Sequence, residues 1–157
     1  MTIEVFWGSG SAYSWRVLLA LEFKQLPYQS HVLDLSKQEH RSARMLKLNP
    51  RGRVPVLQVD EFVCAEPLAI MTYLDRQYPD PALFGDDATQ AAAIMRCICD
   101  YQAYVEPAVV KVIAAIVLGE LDSRLDTVNQ SLMLLMREFQ VMEAQLAQHP
   151  WLVGQCC

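Results

Sequence analysis

The stretch Asn49-Pro50-Arg51-Gly52-Arg53-Val54-Pro55-Val56-Leu57 joins a turn directly to an apolar strand. An Asn-Pro pair followed closely by glycine is typical of a turn. Pro55 stands near the head of the predicted strand, one of the few strand positions that tolerate a residue without an N–H. The Val54–Pro55 bond is a candidate for the cis form, which about 5% of X-Pro bonds in folded proteins adopt. Taken alone, the stretch predicts a turn before an edge strand.

The residues after this turn predict a hairpin and a helix. Residues 54–59 and 61–64 have strand character and are separated only by Asp60, so the two strands are expected to pair antiparallel. Residues 66–78 carry apolar side chains at helical spacing and end at Pro79.

The residues before the turn predict a strand, a helix and a second strand. Residues 2–7 form an apolar strand, and the following Gly8-Ser9-Gly10-Ser11 supplies hydroxyls that can cap a helix. The helix that starts at Tyr13 is expected to end before Pro27. Apolar and polar residues alternate over 28–35, which predicts a second strand, and residues 38–48 predict a short or loose helix. The predicted order is βαβ followed by ββα.

A helical region follows a linker. Residues 79–87 contain two prolines, one glycine and three aspartates, which is linker composition. Two long helical stretches, 88–118 and 122–148, are separated by Gly119, and Pro107 predicts a kink in the first. We therefore expect an α/β domain over 1–78, a linker over 79–87 and a partial all-helical domain over 88–157.

Composition narrows the choice of partners. The 157 residues are 53% hydrophobic and 20% charged, which is typical of a globular protein. A net charge of -5 without a dense Lys/Arg run argues against nucleic acid as a partner. Charged residues and a proline interrupt the most apolar region, 103–118, which argues against a membrane span.

The cysteines and the N-terminal residues bear on the compartment. The start MTIEVFWGSG lacks the features of a signal peptide, and an odd count of five cysteines suits free thiols in a reducing compartment. We expect a cytoplasmic protein. Cys97 and Cys99 are two apart in a predicted helix and the histidines are scattered, so we expect no metal.

Several features in combination resemble the N-terminal half of soluble glutathione transferases, over about residues 1–85. They are the βαβ-ββα order, the first turn Ser11-Ala12-Tyr13-Ser14, the Asn-Pro-x-Gly-x-Val-Pro turn and the segment Glu66-Pro67-Leu68-Ala69-Ile70-x-x-Tyr73-Leu74. The resemblance is to the serine-type, theta/zeta-like classes. It implies a thioredoxin-like domain followed by an incomplete helical domain.

The resemblance also implies an activity. Glutathione would be the co-substrate, and its thiol, activated as thiolate, would attack a small hydrophobic electrophile in a homodimeric detoxification enzyme. A glutathione-dependent isomerase, a non-catalytic binding module of the same fold and a truncated fragment are the alternatives.

Ser11 is the residue that the resemblance assigns to thiol activation. A free thiol has a pKa of about 8.5, so it is mostly protonated at neutral pH unless its anion is stabilised. A hydroxyl can donate a hydrogen bond to the thiolate, and the N-terminus of a helix adds partial positive charge. Ser9, Tyr13 and Ser14 are alternative hydroxyl donors, because spacing alone does not distinguish them.

The remaining glutathione contacts follow from the same resemblance. The backbone of Val54 would pair with the cysteinyl part of glutathione, and Pro55 would hold that geometry. His40 and Arg53 lie where related classes bind the glycine carboxylate. Glu66 would meet the γ-glutamyl ammonium group, a favourable charge pairing.

Pro67 departs from the family pattern, which usually has Ser or Thr at this position. Proline offers neither a hydroxyl nor an N–H to the γ-glutamyl carboxylate, yet it is well tolerated at the start of a helix. Losing about two such hydrogen bonds would cost about 3 kcal/mol, or roughly a hundredfold in affinity. We therefore expect an intact fold with weakened glutathione binding.

The second substrate is expected between the domains, at a pocket lined by Tyr13, Tyr101, Tyr104 and Val105. Members of the resembled family usually continue past the Trp-Leu-x-Gly sequence, here residues 151–154, into a buried helix. We accordingly expect a shortened helical domain with partly bare apolar faces, which favour dimerisation or aggregation.

Overall fold

The computed structural model describes residues 2–153 and divides into two compact units. The N-terminal unit ends at Leu83 and combines strands with helices. The helical unit begins at Phe84 and, over its described residues, contains helices and turns alone. Gly154, Cys156 and Cys157, which entered the sequence predictions, lie outside the described residues.

The N-terminal unit confirms the predicted order of βαβ followed by ββα. The charged stretch around residue 40 forms a 3-10 turn and a short helix. The elements in chain order are β1 (Ile3–Gly8), α1 (Ala12–Phe23), β2 (Gln29–Leu33), the 3-10 turn (Glu39–Arg41), α2 (Ala43–Leu48), β3 (Val56–Val59), β4 (Phe62–Ala65) and α3 (Pro67–Gln77).

The four strands form one mixed sheet in the order β2-β1-β3-β4. β1 runs parallel to β2 and antiparallel to β3, and β3 and β4 form the predicted antiparallel hairpin. Asp60 lies in the hairpin turn with φ 51°, a left-handed conformation that a tight turn requires. β2 and β4 are the two edges of the sheet.

The two faces of the sheet bury different sets of side chains, because successive strand residues point to opposite faces. One face packs against α1 and α3 through a cluster that includes Val5, Leu21 and Leu74. The other packs against α2 through Phe6 and Met45. Full burial of each such side chain stabilises the fold by about 1.5–3 kcal/mol, so the sheet is a rigid support for its loops.

A buried lysine fastens the end of α3 to the end of α1. The Lys24 ammonium lies 2.9 Å from Oδ1 of Asp75 and donates to the carbonyl oxygens of Tyr78 and Pro81 at 2.6 Å each. The backbone N–H of Leu83 donates to the same Asp75 oxygen at 2.7 Å. All three ammonium hydrogens thus have a partner, which is what a charge without solvent exposure requires.

The helical unit contains α4 (Ala88–Asp100), a π-helical turn (Tyr101–Val105), α5 (Glu106–Val117) and α6 (Leu125–Leu146). The single kinked helix expected over 88–118 is therefore three segments. Pro107 begins α5 and has no N–H to donate to the preceding turn, and a π turn accommodates that interruption. Gly119, at φ +67°, follows the end of α5 as predicted.

Burial in the helical unit is sparse. Val105, Ala108 and Leu135 form its core cluster. Many larger apolar side chains are instead exposed, among them Val110, Ile113, Ile116, Val117, Leu132, Met133, Leu134, Met136, Phe139 and Val141. Among residues 2–153, no helix has the length and apolarity needed to cross a membrane.

Candidate functional site

Three loops meet at one end of the strands β1, β3 and β4. The register pairs Phe6 of β1 with Val56 of β3, and Val56 with Ala65 of β4. The end of β1, the start of β3 and the end of β4 are therefore neighbours. The segments that continue from these strand ends carry the predicted site residues Ser11, Val54–Pro55 and Glu66.

Ser11 is the N-cap residue of α1. Its Oγ accepts a hydrogen bond from the backbone N–H of Ser14 at 3.2 Å, and its own N–H donates to the Gly8 carbonyl at 3.2 Å. Capping uses the hydroxyl as an acceptor, so its hydrogen is still available for donation. The side chain also lies at the partially positive end of α1, a favourable place for an anion.

The alternative hydroxyls differ in access. Ser14 is fully buried, and its Oγ accepts from the Gly8 N–H at 3.5 Å. Tyr13 is 39% exposed and its ring lies 5.2 Å from the Arg16 guanidinium carbon. Ser9 is exposed in the turn before α1. Burial therefore counts against Ser14, whereas Ser9 and Tyr13 stay accessible.

The Val54–Pro55 peptide bond is cis, and Pro55 is fully buried at the start of β3. The turn before it is held by Asn49, whose side chain donates to the Arg53 carbonyl at 2.9 Å and accepts from the Arg51 N–H at 3.1 Å. Asn49 is 5% exposed. The sequence analysis quoted this residue but missed its role, although asparagine before proline is a known turn signal.

Glu66 has an unusual backbone conformation, φ 72° and ψ 122°, directly before the first residue of α3. A non-glycine residue at positive φ costs free energy, and such residues cluster at ligand-binding and active sites. The Glu66 side chain is exposed. Pro67 occupies the first turn of α3, in agreement with its expected tolerance there.

His40 and Arg53 lie on either side of the turn at Gly52. His40 belongs to the 3-10 turn, and its carbonyl oxygen lies 3.6 Å from where a side chain on Gly52 would begin. Its Nδ1 is buried without a hydrogen-bond partner among the described residues. Arg53 is exposed.

The predicted lining of a second-substrate pocket is divided between the units. Tyr13 belongs to the N-terminal unit, and the other three residues belong to the π turn of the helical unit. Tyr104 is 59% exposed, whereas Val105 is 3% exposed and contributes to the core cluster with Ala108. Val105 is thus suited to supporting the π turn, and the role of all four residues stays a prediction.

Comparison with known proteins identifies the family. Residues 10–77, which include Ser11, Val54–Pro55 and Glu66, match the family model described as "Glutathione S-transferase, N-terminal domain". The N-terminal unit is thus a domain of the glutathione S-transferase N-terminal type. The predicted fold class, a thioredoxin-like domain followed by helices, is confirmed. The theta/zeta-like, serine-type assignment stays a prediction.

Relatives in the glutathione transferase family include enzymes of two kinds. Glutathione S-transferase 1 of Dianthus caryophyllus is 39% identical over 90 residues, covering 57% of this chain and 41% of that protein. The maleylacetoacetate isomerase of Pseudomonas aeruginosa is 43% identical over 95 residues, covering 59% and 44%. The matches thus span less than half the length of these curated relatives.

A solved structure extends the likeness to both units. The glutathione S-transferase from the Antarctic clam Laternula elliptica superposes with a TM-score of 0.88 at 28% identity, covering 99% of this chain and 71% of that one. The likeness in fold to that structure therefore includes the helical unit.

Proposed function

We propose that the protein is a glutathione transferase that binds glutathione beside Ser11, Val54–Pro55 and Glu66 and stabilises its thiolate for attack on a small electrophile. The observation that carries the proposal is the convergence of these three segments at one end of the strands β1, β3 and β4. Each segment offers glutathione a different kind of contact. Ser11 can donate a hydrogen bond to the sulfur, the backbone of Val54 can pair with the backbone of the cysteinyl residue, and the Glu66 carboxylate can bind the ammonium group.

Thiol activation rests on Ser11 and the N-terminus of α1. The Ser11 hydroxyl donates its hydrogen to the sulfur anion while its oxygen still accepts from the Ser14 N–H. Lowering a thiol pKa by about two units corresponds to about 2.7 kcal/mol of preferential stabilisation of the anion. One charged hydrogen bond of about 1.5–3 kcal/mol, together with the helix dipole, supplies that amount.

The thiolate then forms a carbon–sulfur bond with the electrophilic carbon. The leaving group departs with the bonding electron pair, and the thiol proton goes to solvent. Tyr13, Tyr101 and Tyr104 are proposed to contact this electrophile, because their rings offer apolar surface with a polar end.

Binding combines the backbone of Val54 with the exposed carboxylate of Glu66. His40 and Arg53 are proposed to meet the glycine carboxylate of glutathione. Pro67 has neither a backbone N–H nor a hydroxyl to donate to the γ-glutamyl carboxylate of glutathione. We therefore expect the protein to bind glutathione about a hundredfold more weakly than a variant with serine at this position. The variant Pro67→Ser is expected to regain affinity without disturbing α3.

Retention on immobilised glutathione, followed by conjugation of an electrophilic aryl halide, tests the proposal. We expect Ser11→Ala to lower the turnover rate about a hundredfold. In the same variant, the pKa of the bound thiol, measured from thiolate absorbance against pH, should rise towards about 8.5. Unchanged turnover in a folded Ser11→Ala protein would remove Ser11 from the mechanism.

The matched control is Ser42→Ala. Ser42 caps α2 in the same manner, accepting from the Met45 N–H at 3.4 Å. Either substitution removes a cap worth about 0.5–2 kcal/mol, so the stability loss should be similar. Only Ser11→Ala should change the thiol pKa. Equal effects of the two variants would indicate that the loss is structural.

A second candidate activity is glutathione-dependent cis–trans isomerisation, favoured by the 43% identity to a maleylacetoacetate isomerase. In that reaction the thiolate adds to a carbon–carbon double bond, the resulting single bond rotates, and the thiolate leaves again. Isomerisation of maleylacetoacetate without aryl-halide conjugation would favour this activity. Both reactions use the same Ser11-stabilised thiolate.

The remaining expectations are a homodimer, a cytoplasmic location and a role in detoxification. Exposed apolar side chains on the helical unit support association. Sedimentation as a monomer at micromolar concentration would contradict the homodimer. Retention on glutathione without any turnover would instead favour the non-catalytic module, and a folded protein with neither property would favour the fragment.

A further inference from the structure

The free edge of β2 borders an open depression on the α2 side of the sheet. About 500 Å³ in volume, it is lined by four consecutive strand residues, 30–33, and on its other side by Glu39, Ser42, Arg44 and Met45. β2 pairs with β1 along one side only, so alternate residues direct backbone N–H and C=O groups towards the depression.

Hydrogen-bond donors predominate in this depression. The Arg44 guanidinium lies 5.0 Å from the Phe6 ring centroid, and its closest approach to the Glu4 carboxylate is 4.0 Å, too long for a hydrogen bond. The Arg44 side chain is 66% exposed. The Ser42 oxygen accepts from the Met45 N–H, which leaves its hydroxyl hydrogen available for donation.

The carboxylates around the depression are already engaged. Glu4 pairs with Nε2 of His31 at 2.8 Å, and Glu39 accepts from the backbone N–H of Asp34 at 2.8 Å. Asp34 pairs with Lys37 at 3.2 Å, and hydrogen bonds from Ser36 and Lys37 lower its pKa. An arriving carboxylate therefore meets donors at Arg44, whereas an arriving ammonium group meets acids that already have partners.

A second depression of about 560 Å³ lies on the opposite, α1 side of β2. Its lining combines Leu26, Pro27 and Tyr28 with the side chains of Glu22 and Gln25. Ser30 borders both depressions. Because successive side chains of a strand point to opposite faces, a strand added to β2 would direct one side chain into each depression.

We propose that the free edge of β2 is a docking site for an extended peptide segment of a partner protein. The segment pairs its backbone with β2, places an acidic side chain beside Arg44 and places an apolar side chain against Leu26 and Tyr28. Main-chain pairing supplies affinity and the two depressions supply specificity. The acidic and apolar residues stand an odd number of positions apart, since they point to opposite faces.

The test uses the full chain and a fluorescent threonine-rich octapeptide in which a glutamate and a leucine stand three positions apart. We expect saturable binding, measured by fluorescence anisotropy, and slower amide exchange of residues 29–33 in the complex. Replacing the peptide glutamate by lysine should weaken binding about tenfold, as should N-methylation of alternate peptide amides. Moving the leucine by one position should also weaken binding.

Two charge reversals form the matched pair on the protein. Arg44→Glu should weaken the glutamate peptide about tenfold and strengthen the lysine peptide. Arg41→Glu, an exposed arginine of the adjoining 3-10 turn that does not line the depression, should change either affinity less than about twofold. Retention on immobilised glutathione should be the same for both variants, which separates this site from the proposed glutathione site.

Four results would overturn the proposal. They are no binding of the glutamate peptide up to about millimolar concentration, undiminished binding of the N-methylated peptide, equal effects of Arg44→Glu and Arg41→Glu, and self-association of the chain that Arg44→Glu abolishes. The last would mean that a second copy occupies the edge of β2.

Discussion

The N-terminal unit and the helical unit contain similar kinds of apolar residues but bury them very differently. In the N-terminal unit, Leu21, Leu57 and Ile70 are wholly shielded from solvent. In the helical unit, the 22-residue helix α6 buries only Val128, Ser131 and Leu135. Helices on both faces of a sheet shield the side chains of both faces from solvent. In a small group of helices, each helix shields only one face of its neighbour, and the other faces stay exposed.

The comparison shows that apolar content does not determine how tightly a region is packed. Substitutions in the N-terminal unit should therefore lower the free energy of unfolding far more than comparable substitutions in the helical unit. Amide exchange resolved by residue reports each unit separately.

Lys24→Met should have the largest effect, lowering the free energy of unfolding by about 3–5 kcal/mol. The substitution leaves the Asp75 carboxylate and the carbonyls of Tyr78 and Pro81 without their buried partner. Urea unfolding followed by circular dichroism measures the change. The control is Lys37→Met, whose side chain is 74% exposed and which should lose less than about 1 kcal/mol.

Leu21→Ala in α1 should cost about 2–5 kcal/mol, because it opens a cavity in a closely packed core. Leu134→Ala in α6 removes the same atoms from a side chain that is 51% exposed, and should cost no more than about 0.5 kcal/mol. Differential scanning calorimetry compares the two variants directly. Equal losses would mean that the helical unit is covered in solution, by another chain for example.

Asp87→Ala should cost about 1 kcal/mol, with the effect centred on α4. The Asp87 side chain accepts from the backbone N–H groups of Thr89 and Gln90 at 2.8 Å each. Exchange of those two amides should accelerate, while exchange in β1 and β3 stays constant. Asp86→Ala is the neighbouring control, and a comparable acceleration there would assign the effect to charge rather than capping.

Cys64 and Cys99 allow a smaller, chemical comparison of the two units. Burial raises the pKa of the half-buried Cys64 thiol above its ordinary value, whereas Cys99 is exposed on α4. Since the thiolate is the reactive form, alkylation of Cys64 at pH 8 should be several-fold slower than that of Cys99. A raised pKa means that the alkylation rate of Cys64 should still be rising with pH at pH 9.

Peptide mapping by mass spectrometry distinguishes the labelled cysteines. The opposite order of reactivity would contradict the prediction, because it would require Cys64 to be the more accessible thiolate. The Cys97 thiol, which is partly buried on the same helix as Cys99, provides an internal standard.

Local sequence was sufficient to predict the elements of the N-terminal unit. Alternation identified β1 and β2, Pro27 placed the end of α1 to within a few residues, and Gly52 and Asp60 marked turns that adopt positive φ. These signals depend on residues that are neighbours in the sequence, so the local elements can be predicted without knowledge of contacts to distant residues. The π turn at 101–105 was missed because Pro107 predicts an interruption without specifying its form.

Within the candidate site, sequence predicted the residue types but not every role. The family resemblance pointed to Ser11, Pro55 and Glu66, and the cis bond before Pro55 was anticipated. The turn-holding side chain of Asn49 and the positive φ of Glu66 were not. Each depends on contacts or conformations imposed by residues elsewhere, which spacing along the chain does not reveal.

By itself, the sequence determined the order of strands and helices and the family that the N-terminal unit matches, because both depend on local periodicity and on short combinations of residues. Tertiary structure alone decided that the end of β1, the start of β3 and the end of β4 lie side by side, that Lys24 meets Asp75, and that β2 keeps one edge unpaired. Those features arise when strand register and burial are settled together, since each pairing depends on packing between residues far apart in the chain.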